Sequence, residues 1–149
     1  MTKFLLAVHV IAAILAIGPV AVAASMFPPV ARRAAAATGT PDATASLHLL
    51  HRICRVYAVV GVVVPVFGFA TASEMGVLGS PWLIVSIALT ALAALVLVAL
   101  VLPAQSALLE GSTETGRSAR LAMYTGLFNL LWAAVTVLMI VRPGSTTGA

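Results

Sequence analysis

The feature that most constrains the fold of this sequence is a set of four long apolar runs. The short segments beside these runs hold almost all of the charged residues. The runs cover residues 4–27, 47–72, 82–102 and 121–141. Each has about the 20 residues that an α-helix needs to cross the hydrocarbon core of a bilayer. Hydrophobic residues make up 62% of the chain and charged residues 8%, whereas soluble domains have roughly 45–50% and 25%. The sequence therefore predicts an integral membrane protein.

The predicted fold class is an all-α bundle of four transmembrane helices, in a single domain covering residues 1–149. Inside a bilayer the backbone must satisfy its own hydrogen bonds, which leaves helices or a closed barrel, and the runs lack the alternation of barrel strands. The first run also resembles a secretory signal, with Lys3 before it and Ala21-Val22-Ala23 as a cleavage motif. Its apolar stretch reaches Phe27, longer than a usual signal core, which favours a membrane span.

The distribution of basic residues predicts the orientation, because cytoplasmic loops are enriched in arginine and lysine. Six arginines flank the first and third connections: Arg32, Arg33, Arg52, Arg55, Arg117 and Arg120. The other side has only Lys3 and Arg142. We therefore expect a multi-pass protein of the plasma (inner) membrane, with both termini outside and connections 28–46 and 110–116 in the cytoplasm. Trp82, after Pro81 in the first turn of the third helix, is predicted to be an interfacial anchor.

Prolines and glycines predict where the helices end, bend or pack closely. Pro28-Pro29 should end the first helix, because proline lacks an N–H donor and clashes with the preceding turn. Pro65 should kink the second helix. Three glycines are predicted to let helix backbones approach one another: Gly61, Gly68 and Gly126.

A basic cluster at the inner end of the second helix is the first candidate site. It consists of His48, His51, Arg52 and Arg55, with Cys54 among them. Positions 48, 52 and 55 lie within about 60° of one another on a helix, and arginine matches phosphate oxygens. The cluster is therefore predicted to contact a lipid headgroup or another anion, with a solvated helix end as the alternative. A metal site is not predicted, because His48 and Cys54 lie well over ~100° apart around the helix axis.

His9 lies inside the first run, where an ionisable residue is a functional hypothesis by default. A ring nitrogen can bind haem iron or copper, so His9 is the candidate cofactor residue, and a neutral histidine hydrogen-bonded within the bundle is the alternative. His9 and His51 should lie roughly 15–20 Å apart in depth, too far to share one haem. The remaining partner candidates are Glu74, Met75 and Met139. We therefore predict no cofactor, with haem or copper at His9 as the alternative.

Asn129 lies near the centre of the fourth run and is predicted to contribute to polar packing within the membrane, with Ser86 or Thr90 as its partner. The runs contain no Asp or Glu, which disfavours an ion-coupled carrier. No hydrolase triad, zinc signature or phosphate loop is present, so the sequence does not indicate an enzyme.

Three passages resemble a bacterial family of small membrane proteins, domain of unknown function 2269. The first helix has Lys3-Phe4-Leu5-Leu6-Ala7-Val8-His9 and Ile17-Gly18. Gly68-Phe69-Ala70-Thr71 leads into Trp82-Leu83, and Leu102-Pro103 ends the third helix. Residues 137–141 precede Arg142-Pro143. The resemblance implies four helices and no established activity. The first helix is also similar, more distantly, to copper-resistance-type and haem-associated proteins, which have further helical histidines.

The sequence thus predicts a small, non-enzymatic structural or accessory component of the membrane. We expect it to bind membrane lipids, further copies of itself or the subunits of a larger membrane complex. The chain has a net charge of +4, and its basic residues lie mostly beside the spans. This position indicates contact with anionic lipid headgroups and not with nucleic acid. The alternatives are a haem- or metal-binding redox protein that uses His9, and a small oligomeric transporter or channel.

Overall fold

A computed structural model describes residues 1–36, 41–111 and 116–145, and these residues form helices joined by turns. The helices are α1 (Thr2–Ala36), α2 (Pro41–Val60), α3 (Val63–Glu74), α4 (Pro81–Leu95), α5 (Leu102–Leu109) and α6 (Arg117–Val141), with a π-helical segment, Val96–Val101, between α4 and α5. They build four helices that are long and apolar enough to cross a membrane: Thr2–Ala36, Pro41–Glu74, Pro81–Leu109 and Arg117–Val141. The predicted all-helical architecture with four such helices is confirmed. Residues 37–40 and 112–115 of the predicted connections lie outside the described residues.

The four long helices pack around one main core. The helix α1 contacts α2, α3 and α6, and α4 contacts α6. Fully buried side chains at the centre include Phe27, Val101 and Leu121. Large apolar side chains cover the outside, such as Val59 at 74% and Leu130 at 70% exposure. An apolar exterior around a packed core is what helices in hydrocarbon require.

The first helix does not end at Pro28-Pro29, which corrects the sequence prediction. Helix α1 continues for 35 residues to Ala36, about 52 Å at 1.5 Å per residue, against a hydrocarbon core of about 30 Å. The reason is packing: Phe27 and Pro28 are buried, and Ala31 packs on the core that contains Leu47. The burial of α1 side chains against α2 thus outweighs the two backbone N–H donors that Pro28 and Pro29 lack. As a result, α1 and the helix packed against it extend beyond the length of a membrane span.

The second span is interrupted at Gly61 and Val62, between α2 and α3, so the predicted irregularity near Pro65 is confirmed. In a regular helix the ring of Pro65 would meet the carbonyl four residues earlier, at Gly61, and would offer it no N–H. Here Val64 N donates to that oxygen at 3.1 Å instead. The break is therefore the local response to the missing donor of Pro65.

The third span widens ahead of Pro103. Leu102 N donates to Leu97 O, an i→i+5 bond of the π-helical type, and Pro103 follows in the first turn of α5. Each residue added to a helical turn rotates the rest of the helix by about 100°. The π-helical segment thus sets which face α5 presents to α2.

Trp82, which the sequence predicts to be an interfacial anchor, is a core residue with 7% exposure. It forms a second core cluster with Ala72 and Leu83. The guanidinium of Arg142 lies 5.7 Å from its ring centroid, a cation–π contact. Trp82 therefore joins the ends of α4 and α6.

Candidate functional site

The charges divide between the two ends of the bundle. One end, called the basic end below, contains the C-terminus of α1, the N-terminus of α2, the C-terminus of α5 and the N-terminus of α6. Its basic side chains are Arg32, Arg33, His48, His51, Arg52, Arg55, Arg117 and Arg120. The opposite end has Lys3, Glu74 and Arg142. This division supplies the polar surface at which a site for a charged group can form.

An open groove of about 470 Å³ lies between α2 and α5 at the basic end. It is lined by His51, Arg55, Leu102, Pro103, Ser106, Ala107 and Glu110. Of the predicted basic cluster, His51 and Arg55 line this groove, whereas His48 and Arg52 are exposed and do not. The i,i+4 spacing of His51 and Arg55 places both on the face of α2 beside α5.

A buried hydrogen-bonded chain supports the groove from behind. The Oε1 of Gln105 lies 3.0 Å from Nδ1 of His51, and Nε2 of Gln105 donates to Sγ of Cys54 at 3.5 Å. Gln105 and Cys54 are both 0% exposed. Since Gln105 engages Nδ1, the His51 ring is held in place and Nε2 is the nitrogen left for a ligand.

Gln105 was missed by the sequence reasoning, which ended the third run at Leu102. One signal points to it: Gln105 continues a stripe of buried residues spaced four apart, after Ala93, Leu97 and Val101. Such spacing indicates a buried helix face. The π-helical segment keeps that stripe facing the bundle through Pro103.

Replacement of Gln105 by leucine is expected to destabilise the bundle by about 1 kcal/mol, since two interhelical bonds worth roughly 0.6 kcal/mol each are lost. The measurement is the free energy of unfolding in mixed detergent micelles. Thr136→Val is the control, because Thr136 is exposed and bonds only to Trp132 O of its own helix. An equal loss in both variants would contradict a special role of Gln105.

His9 lies against the second span, far from the groove. Its Nδ1 is 3.0 Å from Val64 O, and a carbonyl oxygen only accepts, so this nitrogen donates. A Cβ added at Gly68 would lie 2.9 Å from Cε1 of the ring. Val64 is about 20 Å along the second span from His51 at 1.5 Å per residue. His9 therefore belongs to the contact between α1 and α3, and the structure does not bring it to His48 or His51.

The geometry at His9 also bears on a cofactor. The bond to Val64 O leaves Nε2 as the ring nitrogen for a ligand, the arrangement seen when a backbone carbonyl orients a metal-bound histidine. Within residues 1–36, 41–111 and 116–145, no three His, Cys, Asp or Glu side chains converge as a metal site. Haem or copper at His9 stays an alternative to the predicted absence of a cofactor.

Asn129 bonds to α1 and not to α4, which corrects the predicted partner. Its Nδ2 donates to Ser25 Oγ at 3.1 Å. The predicted partners bond within their own helix, with Ser86 Oγ donating to Trp82 O and Thr90 Oγ1 donating to Ser86 O. A hydroxyl one turn after a helical carbonyl reaches it without any tertiary contact, so neither hydroxyl is free to donate to α6.

A second, smaller cavity of about 130 Å³ lies between all four long helices, beside the break in the second span. Its walls are mostly apolar and include Pro65, Leu97 and Phe128. Trp132 also lines it, and its ring meets Phe128 edge-on at 6.2 Å. The groove at the basic end is larger and holds the charged side chains, which makes it the better candidate for a site.

No protein-family model matches the chain, and no curated protein or solved structure proved similar to it. The resemblance to the family described above therefore stays a prediction.

Proposed function

We propose that this chain is a non-enzymatic integral membrane protein that binds a phospholipid headgroup in the groove between α2 and α5. It would act as a structural or accessory component of the plasma membrane, with the basic end in the cytoplasm and both termini outside. The observation that carries the proposal is the position of Arg55. Arg55 lines an open groove at the basic end of the bundle, beside the apolar Leu102 and Pro103.

The electrostatics of the basic end support a phosphate-bearing ligand. Arginine presents planar donors that match phosphate oxygens, and basic side chains beside a span attract anionic headgroups by about 1 kcal/mol each. The groove thus offers a place for a phosphate with hydrocarbon immediately below it.

Substitution of Arg55 by alanine is expected to weaken phospholipid binding about tenfold, the equivalent of one lost charge-assisted hydrogen bond. The purified protein is equilibrated in detergent with equimolar dioleoyl phosphatidylethanolamine and phosphatidylglycerol at a series of concentrations. Retained lipid is quantified by mass spectrometry after gel filtration.

Arg52→Ala is the matched control, because Arg52 is an exposed arginine on the same helix that does not line the groove. We expect that variant to retain wild-type binding within about twofold. Equal losses at Arg52 and Arg55 would show diffuse attraction to the basic end and would contradict binding in the groove.

A further inference from the structure

The two walls of the groove differ in the hydrogen-bonding groups that they carry. Helix α2 contributes His51 and Arg55, and α5 contributes Ser106 and Glu110, each pair one helical turn apart. The guanidinium can only donate. The Ser106 hydroxyl donates to Leu102 O at 3.1 Å, so that its oxygen is left to accept, as the carboxylate of Glu110 does. The groove therefore has a strong donor on the α2 side, the guanidinium of Arg55, and two acceptors on the opposite wall, Ser106 and Glu110.

The opposite charges of the two walls do not neutralise each other. Arg55 and Glu110 line the same groove, yet neither forms an ion pair with any described residue. Both side chains are exposed and available to a ligand that enters between them. A ligand that satisfies both carries a negative and a positive group.

The depth at which these groups lie gives the order of the ligand's parts. Helices α2 and α5 are antiparallel, and Gln105 lies at the level of His51 and Cys54. Arg55 is therefore deeper in the bundle than His51, and Glu110 is nearer to the basic end than Gln105. At 1.5 Å per residue, Leu102 and Pro103 lie at about the depth of Arg55. From the deep end outwards, the groove therefore presents a guanidinium beside an apolar wall, and then a carboxylate.

We infer that the groove recognises a zwitterionic phospholipid with a free amine, of the phosphatidylethanolamine type. Its acyl chains would lie along Leu102 and Pro103, its phosphate at Arg55, and its ammonium at Glu110 and Ser106. The chains and the phosphate would thus lie deeper than the amine, which is the arrangement of such a lipid in a leaflet. The inference rests on the proposed function, lipid binding in this groove, and adds the class of headgroup.

The binding assay described above, with equimolar phosphatidylethanolamine and phosphatidylglycerol, tests the inference through the ratio of the two retained lipids. Because the basic end also attracts anionic phosphatidylglycerol, the ratio in each variant is compared with that of the wild-type protein. Glu110→Gln removes the charge but keeps the size of the side chain, and should lower the ratio of phosphatidylethanolamine to phosphatidylglycerol about fivefold, which corresponds to one ion pair at a solvated site. Glu74→Gln, at an exposed carboxylate of the opposite end, should keep the wild-type ratio.

The outcomes separate the inference from the proposed function. If Arg55→Ala weakens both lipids and Glu110→Gln leaves the ratio unchanged, the groove binds phospholipid but does not recognise the amine, and the inference is wrong. If Arg55→Ala weakens neither lipid, the proposed function fails as well. A lower ratio in Glu110→Gln alone, with Glu74→Gln unaffected, supports both.

A soluble form of the headgroup distinguishes a lipid from a free metabolite. O-Phosphoethanolamine, added to the loaded protein at the concentration that half-saturates the lipid, should displace little phosphatidylethanolamine, because it lacks chains for the apolar wall. Equal displacement by the soluble compound and by unlabelled lipid would overturn the assignment to a membrane lipid.

Discussion

Replacement of Phe27 by alanine is expected to lower the free energy of unfolding by about 3–5 kcal/mol, the usual cost of truncating a buried phenylalanine. Phe27 is 0% exposed and belongs to the main core, together with Leu50 of α2 and Leu121 of α6. Truncation would leave a cavity where three helices meet. The free energy is measured by denaturation in mixed detergent micelles.

Phe4→Ala is the matched control for this effect, because Phe4 lies on the same helix and is 66% exposed. Its truncation removes the same atoms without leaving a cavity, so a loss below about 1 kcal/mol is expected. Similar losses at both positions would mean that α1 does not pack through the Pro28-Pro29 region as described.

Gly68→Ala is expected to have a free energy of unfolding about 1–3 kcal/mol lower than that of Gly126→Ala. This difference is the usual cost of overpacking a core. A Cβ at Gly68 would lie 2.9 Å from Cε1 of His9, and the ring cannot move away without loosening its bond to Val64 O. At Gly126 a Cβ meets nothing within 4 Å. Gly126→Ala should therefore be neutral or gain up to about 1 kcal/mol from helix propensity. The unfolding free energies of the two variants give the comparison.

A His9→Ala background shows whether the ring is the cause. Removal of the imidazole frees the space beside Gly68, so the difference between the two glycine variants should shrink by at least about 0.5 kcal/mol, as contacting residues are coupled. An unchanged difference would place the strain elsewhere in α3.

Gly126 also shows where the sequence pattern was ambiguous. Gly61, Gly68 and Gly126 were predicted to permit close packing. Gly68 does so against His9, but Gly126 lies on an exposed face of α6. In a span that is apolar all round, the sequence carries little contrast between the face towards the bundle and the face towards lipid. The packing role of a glycine is decided by its neighbour on another helix.

The candidate site in the groove could also be predicted only in part from the sequence, because some of its residues are selected by a neighbouring helix. The positions of His51 and Arg55 at the basic end of the bundle follow from the charge pattern, which is local. The selection of these two residues over His48 and Arg52 depends on α5. Gln105, 54 residues from His51 in the sequence, reaches the site because the third span widens before Pro103.

By itself, the sequence determined four long apolar helices and the charge at each end, because length and hydropathy are properties of a single segment. The tertiary structure alone decided that α1 continues through Pro28-Pro29, that Asn129 meets Ser25, and that His9 donates to Val64 O. Each of these depends on the free energy gained by contacts between segments far apart in the chain, such as the 104 residues between Ser25 and Asn129. Those contacts outweigh local preferences such as the helix-breaking tendency of proline, and no local pattern encodes them.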